Sequence, residues 1–285
     1  MGSLDSRKNE ELNALWCDKN YLTSLNLNPD STFDVLQTAY NAYVLPKKEN
    51  FDYTQLPGGF DIDKVSEVTG GKFNRQNHTF NMESGAKNAT YCYDAGTAQR
   101  VRFKLCTNPF GDVKDGSFYR DAAIWAANYD VSTGTTATTF SPKQDCKRSQ
   151  VVTFLWRAAG CPEPKSMKSP FRDVQNPSKF YYKAVLWAAE NDIASGIEKD
   201  LFKPDSICKR SQVVTFQWRA VGRPEPLITS GRSFFQDVQD TQSFYYKAVL
   251  WAAENGITLG VQPGVFRPNG ICNRGEIVTF LYRCV

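Results

Sequence analysis

The chain has 285 residues, 41% of them hydrophobic and 22% charged, with a formal net charge of +4. That is the composition of a globular protein with chain enough for about two domains. No apolar run approaches the roughly 18–20 residues that span a bilayer. Residues 1–108 carry 12 Lys/Arg against 13 Asp/Glu, and residues 109–285 carry 22 against 17. This basic bias is too weak to argue for nucleic acid, but it accommodates an acidic partner for the second half.

No signal peptide is visible. Met1-Gly2-Ser3-Leu4-Asp5-Ser6 is polar and reads as a start introduced for expression, with a natural leader removed. Residues 7–45 show two helical patterns. The first is Glu10-Glu11-Leu12-Asn13-Ala14-Leu15-Trp16-Cys17. The second runs over Phe33-Asp34-Val35-Leu36-Gln37-Thr38-Ala39-Tyr40, with Asp30 or Ser31 as its cap and Pro46 beyond its end. From 50 to 106 the texture changes. Turn signals at Pro57-Gly58-Gly59, Gly70-Gly71 and Asp94-Ala95-Gly96 separate the runs Lys72-Phe73, His78-Thr79-Phe80, Thr90-Tyr91-Cys92-Tyr93 and Val101-Arg102-Phe103-Lys104-Leu105. Residues 1–108 are therefore expected to form a small α+β or β-rich domain with a ligand of its own that the residues do not name.

Little in this first half points to catalysis, and no enzyme is expected. The single histidine is His78, and a pairing with Cys92 or Cys106 has no surrounding pattern. Asp52, Asp61 and Asp63 lack the spacing of a calcium loop and read as a solvated turn region. Eight cysteines stand at 17, 92, 106, 146, 161, 208, 272 and 284 with no CxxC pair, which disfavours a zinc ribbon or redox motif. Cys92/Cys106 and Cys161/Cys284 stay open as bridges.

The second half is a repeat. Cys146-Lys147-Arg148-Ser149-Gln150-Val151-Val152-Thr153-Phe154 recurs as Cys208-Lys209-Arg210-Ser211-Gln212-Val213-Val214-Thr215-Phe216. It appears a third time as Cys272-Asn273-Arg274-Gly275-Glu276-Ile277-Val278-Thr279-Phe280. Each copy is preceded by an aromatic-x-Asp-Val entry (Phe110, Phe171, Phe235) and a helix pattern opening at Phe118-Tyr119, Phe180-Tyr181 or Phe244-Tyr245. A turn glycine (Gly134, Gly196, Gly260) and a Phe-x-Pro follow, the latter at Phe140/Pro142, Phe202/Pro204 and Phe266/Pro268. The units are taken as 109–164, 165–228 and 229–285. A two-helix unit this small cannot bury its apolar face alone, whereas three can share one core.

These landmarks resemble the S-layer homology family, whose repeats read F-x-D-V, an aromatic-led helix, G-I-x-x-G, F-x-P and T-R-A-E. The resemblance implies a mainly α, pseudo-threefold trimer of helix–loop–helix repeats. It also implies non-covalent attachment to a secondary cell-wall polysaccharide or another acidic glycan, often pyruvylated, in grooves between repeats. The protein would then stand at the cell surface or in the cell wall, secreted, with residues 1–108 displayed. The alternatives are a glycan-active enzyme targeted by the repeats, or an adhesin. Carried over residue by residue, the motif arginine matches Arg148, Arg210 and Arg274. The threonine place holds Lys147, Lys209 and Asn273, and the glutamate place Gln150, Gln212 and Glu276. The turn glycines match Gly134, Gly196 and Gly260. Phe118, Phe180 and Phe244 stand where the family often has tryptophan.

The chemistry fits an anion. A helix start offers unpaired N–H groups and partial positive charge, and an arginine there adds a carboxylate-matching fork. Lys147 and Lys209 would add charge, whereas Glu276 would remove it. The Lys147/Arg148 and Lys209/Arg210 sites are therefore expected to bind an acidic saccharide more tightly than Asn273/Arg274. On this reading, losing an arginine weakens binding but spares stability. The competing reading pairs these arginines with Asp112, Asp173 or Asp237. Trp125, Trp187, Trp251 and Cys146, Cys208, Cys272 are expected in the core; a metal on the cysteines has no histidine to support it, and no cofactor is expected.

Overall fold

A computed structural model describes residues 2–18, 20–39, 41–97, 100–227 and 233–284. Two units divide it, Met1–Pro109 and Phe110–Val285. The repeat boundary expected at 228/229, and Tyr40 of the second expected helix, lie outside the described residues.

The first unit is β-rich, and the helices expected over 10–17 and 33–40 are not formed. The strands β1 (Ser3–Asp5), β2 (Ala14–Trp16), β3 (Ser24–Asn26) and β4 (Val35–Gln37) are there instead. β1 pairs β3 in parallel, matching Leu4 to Leu25, and β2 pairs β4, matching Leu15 to Leu36. Both registers are an offset of 21 residues, so the described residues of this stretch, 2–18 and 20–39, form two stacked coils of one period. A leucine on one strand of each coil imitates a helical stripe in a short window, but Asn9, Asn13, Asp18 and Asn20 favour turns between strands that are only three residues long. Asn41 ties the coil turns together. It is buried, its Oδ1 accepts the Asn20 amide at 3.0 Å, and its Nδ2 donates to Cys17 O at 2.8 Å and Thr38 O at 2.9 Å.

The coils lead into β5 (Ala42–Val44), which pairs in parallel with β11 (Arg100–Cys106). That sheet runs β5-β11-β10-β7, with β7 at Val65–Thr69 and β10 at Asn88–Asp94. A second sheet orders β6 (Phe51–Asp52), β9 (Thr79–Met82) and β8 (Gly71–Asn74). Alternation along β10 and β11 sends Tyr91, Tyr93, Phe103 and Leu105 into one core with Leu22, Leu25 and Phe80. The buried Tyr91 hydroxyl is satisfied by Thr23 O at 2.7 Å. Cys92 is a free thiol donating to Glu67 and not to His78. Asp52 and Asp61 accept neighbouring backbone amides, and Asp63 pairs with Arg75.

The second unit holds six helices: α1 (Arg120–Asn128), α2 (Arg148–Ala158), α3 (Tyr182–Glu190), α4 (Arg210–Ala220), α5 (Tyr246–Glu254) and α6 (Arg274–Cys284). It is not the mainly α unit expected. Three helices of nine residues and three of eleven make 60 helical residues, about a third of 110–285. The rest of each repeat is turn and extended arm, because its backbone is satisfied by a carboxylate instead of by helical bonds. Asp112 accepts the amides of Phe140 (2.8 Å) and Ser141 (2.7 Å). Asp173 does the same for Phe202 and Lys203, and Asp237 for Phe266 and Arg267. These clamps hold Ser141, Lys203 and Arg267 at φ of 58°, 57° and 59°, a conformation non-glycine residues avoid. The aspartates are thus spent inside their own repeats and do not pair with the motif arginines.

The second helix of each repeat packs on the first helix of the next: α2 on α3, α4 on α5, and α6 back on α1. Trp125 meets Tyr282 with ring centres 5.7 Å apart across that last junction. The segments before α2, α4 and α6 bridge one another through Lys147–Ile207, Lys209–Ile271 and Asp145–Asn273. Cys146, Cys208 and Cys272 sit inside this junction, each at most 1% exposed. Burial pushes the Cys146 thiol up to about 11 and Cys208 up to about 12. Trp125, Trp187 and Trp251 are buried. Cys161 is a free thiol, so it is not bridged to Cys284.

Candidate functional site

The helix starts differ from the open anion cradles expected of them. The Arg148 and Ser149 amides donate to Ser206 O (2.9 Å) and Pro204 O (3.1 Å) of the next repeat. The Arg210 and Ser211 amides use Gly270 O and Pro268 O, and the Arg274 and Gly275 amides use Gln144 O and Pro142 O. Protein carbonyls therefore take the N–H groups that a carboxylate was expected to use. Gln150 and Gln212 each reach back with Oε1 to the amide of Lys147 or Lys209, at 2.9 Å. Glu276 does the same to Asn273 with Oε2, and Asn273 Oδ1 accepts the Glu276 amide in return, a complete capping box.

The three arginines are buried cross-repeat staples, 2%, 3% and 4% exposed. Arg148 donates Nε to Phe202 O at 3.0 Å and Nη2 to Ser195 O at 2.9 Å, both in repeat two. Its guanidinium lies between the rings of Phe202 (4.8 Å) and Phe216 (5.3 Å). Arg210 reaches repeat three, donating to Phe266 O at 2.9 Å and to Glu276 Oε1 at 2.6 Å between Phe266 and Phe280. Arg274 closes onto repeat one, bonding Ser132 Oγ at 2.6 Å and Gly134 O at 3.1 Å between Phe140 and Phe154. Burial lowers the pKa of Arg148 and of Arg274. Lys147 pairs with Asp205 and Lys209 donates to Asn269, again across repeats.

A groove of about 350 Å³ runs past this staple between repeats two and three, lined by Phe118, Arg210, Leu259, Gly260, Val261 and Glu276. It unites three expected residues, Arg210, Gly260 and Glu276, with Phe118 from repeat one. A second hollow of about 460 Å³ brings Gly196 together with Asp192, Glu198, Asp200, Arg219 and Arg223. At Gly134 and Gly260, both at φ +81°, an added Cβ would lie 2.5 Å from Thr139 O or Val265 O. The glycines thus let the turn fold tightly against the Phe-x-Pro arm. Sequence reasoning did not single out Leu259, which is 74% exposed; a leucine in a turn whose counterparts are Ser195 and Thr133 was the available signal. Phe118, Phe180 and Phe244 are all exposed and each stands edge-on to its following tyrosine, 5.1 Å away.

Among the described residues no group of three His, Cys, Asp or Glu is placed to hold a metal ion, and no helix is long and apolar enough to cross a membrane. The S-layer homology domain model matches residues 109–152, 170–214 and 234–278. A "Cell surface protein" of Thermoanaerobacter kivui is 26% identical over 193 residues, 66% of this chain and 23% of that protein. An "Endoglucanase" of Bacillus sp. (strain KSM-635) is 30% identical over 162 residues, 56% of this chain and 17% of that one. An "Exoglucanase XynX" of Acetivibrio thermocellus is 26% identical over 179 residues, covering 61% and 16%. The chain thus spans less than a quarter of the length of these relatives. The three matched segments, each opening at an aromatic-x-Asp-Val clamp and running into an arginine-stapled helix, are three tandem S-layer homology domains.

Proposed function

We propose that the repeats anchor a cell-surface protein by binding a secondary cell-wall polysaccharide, acidic and pyruvylated, in the grooves between repeats. The observation that carries this is the threefold placement of an exposed phenylalanine, with one of them, Phe118, lining a groove floored by a buried arginine. An exposed ring suits the C–H face of a sugar, and a guanidinium behind it suits a carboxylate. The site set is Arg148, Arg210 and Arg274 with Phe118, Phe180 and Phe244; Lys147, Lys209, Asn273, Gln150, Gln212, Glu276, Gly134, Gly196 and Gly260 shape the grooves around them. Residues 1–108 are the displayed part and the chain is not itself a catalyst. The two glucanase relatives support a second reading, a glycan-active protein brought to the wall by its repeats.

The test is co-sedimentation of the full chain with purified wall glycan, for wild type and for Phe118→Ala, Phe180→Ala and Phe244→Ala combined. Because these rings are exposed, stability should hold while affinity falls at least tenfold, the equivalent of about 1.4 kcal/mol. Unchanged sedimentation in the triple variant refutes the groove assignment. Release of reducing sugar from soluble β-glucan by the purified chain would favour the second reading.

A further inference from the structure

We infer that the three inter-repeat arginine sites take different units of the glycan: those of Arg148 and Arg274 receive its acidic groups, and the groove of Arg210 receives an uncharged unit. This rests on the preceding reading that the grooves bind a wall glycan.

The three guanidiniums occupy equivalent places but differ in counter-charge. Arg210 already holds a carboxylate: Glu276 Oε1 lies 2.6 Å from its Nη1, the two side chains 4% and 20% exposed. Among the described residues, neither Arg148 nor Arg274 pairs with one. Arg148 bonds only the carbonyls of Phe202 and Ser195. Arg274 bonds Ser132 Oγ and Gly134 O and lies against the Cys146 thiol, none of them a carboxylate. A buried cation with no carboxylate bonded to it is costly, and for Arg148 the nearby Asp173 charge offsets only part of that cost. A ligand carboxylate reaching Arg148 or Arg274 relieves that cost; one reaching Arg210 meets Glu276 first and is repelled by a like charge at close range. The sequence-based expectation placed Glu276 at the mouth of Arg274. The structure turns it onto the preceding repeat, so the neutralised groove is that of Arg210.

The walls differ in the same sense at the position of Leu259. The Arg210 groove is lipped by Leu259, Val261 and Phe118, all exposed. The residues at the place of Leu259 are Ser195 and Thr133, and those at the place of Val261 are Ile197 and Thr135. An apolar lip over a closed ion pair fits the C–H face or the acetyl group of an uncharged sugar. One position therefore sets groove class: acid at 276, amide at 150 and 212. The swap is structurally mild, because Gln150 and Gln212 make the same reach-back bond at 2.9 Å that Glu276 makes.

The experiment is calorimetric titration of the full chain with a methyl hexoside carrying a 4,6-pyruvate ketal. The wild type should bind two equivalents, Glu276→Gln three, and Gln212→Glu, which puts a carboxylate where Arg148 lies, one. A single cooperative melting transition of the second unit verifies that each variant is folded. Three equivalents in the wild type, or a stoichiometry unmoved by Glu276→Gln, overturns the division while leaving glycan binding intact. No binding of the acidic probe by wild type or either variant overturns the glycan reading, and this inference with it.

Discussion

Replacing Arg148 by alanine should destabilise the second unit substantially, against the sequence-based expectation that such a change affects binding alone. The side chain is 2% exposed and gives two charge-assisted bonds, at 3.0 and 2.9 Å, to carbonyls of another repeat. Bonds of that kind contribute about 1.5–3 kcal/mol each. Its two ring contacts add up to about 2 kcal/mol each where water is excluded. Against this, the variant no longer buries a cation, a saving of several kcal/mol. The net loss should be about 3–5 kcal/mol, the usual result of removing one member of a buried polar set. For a unit of this size each kcal/mol moves the midpoint by about 2–4 °C, so the melting transition should fall by about 6–20 °C. Differential scanning calorimetry of the full chain measures it, with Arg148→Lys expected to recover part of the loss by retaining charge without the fork. A midpoint within about 2 °C of wild type together with lost glycan binding would refute the staple and leave the guanidinium as ligand holder only.

Two other outcomes follow from the packing. Asn41→Ala strands the Cys17 and Thr38 carbonyls and the Asn20 amide; it should cost the first unit about 2–4 kcal/mol, seen as a lower urea midpoint for that unit with the second unmoved. The thiols of Cys146, Cys208 and Cys272 are held protonated by burial, the first two to about 11 and about 12. A folded pKa raised above the unfolded value, about 8.5, means their stabilising share is full below that pH. It drains as pH rises towards 11 and 12. Comparing midpoints from pH 8 to 11 for wild type and for the triple cysteine-to-alanine variant should show the steeper decline in wild type; parallel declines would contradict the assignment.

The repeat was legible because its signals are local and punctuated. Gly134, Phe140 and Arg148 keep their order and near-constant spacing in three copies, and each landmark answers to a fixed piece of backbone. The partners of those landmarks were not legible. Nothing in the spacing tells that Asp112 closes on its own repeat's arm, that Glu276 faces Arg210, or that the helix-start amides are spent on Pro142, Pro204 and Pro268. Each of these is a contact between copies or across some thirty residues. In the first unit, the stripes at Leu12/Leu15 and Val35/Leu36 were read in windows too short to separate a helix from a coil. Comparing Leu4 with Leu25, Leu15 with Leu36 and Asn20 with Asn41 would have exposed the 21-residue period. The second unit is less helical than expected because the aromatic-x-Asp-Val and Phe-x-Pro stretches are long arms with their own hydrogen-bonding scheme, which their sequence does not announce.

The return of α6 onto α1 has a consequence for how the protein comes into being. The bonds from Arg274 to Ser132 and Gly134 join residues 142 and 140 apart in sequence. A chain that emerges N-terminus first, from a ribosome or through a narrow pore, presents α1 long before its partner exists. Until residue 274 appears, α1 lacks the helix it packs on, and loop closure over such a span carries an entropic cost that this contact has not yet repaid. The second unit is therefore a late folder: it locks only once its final helix is out.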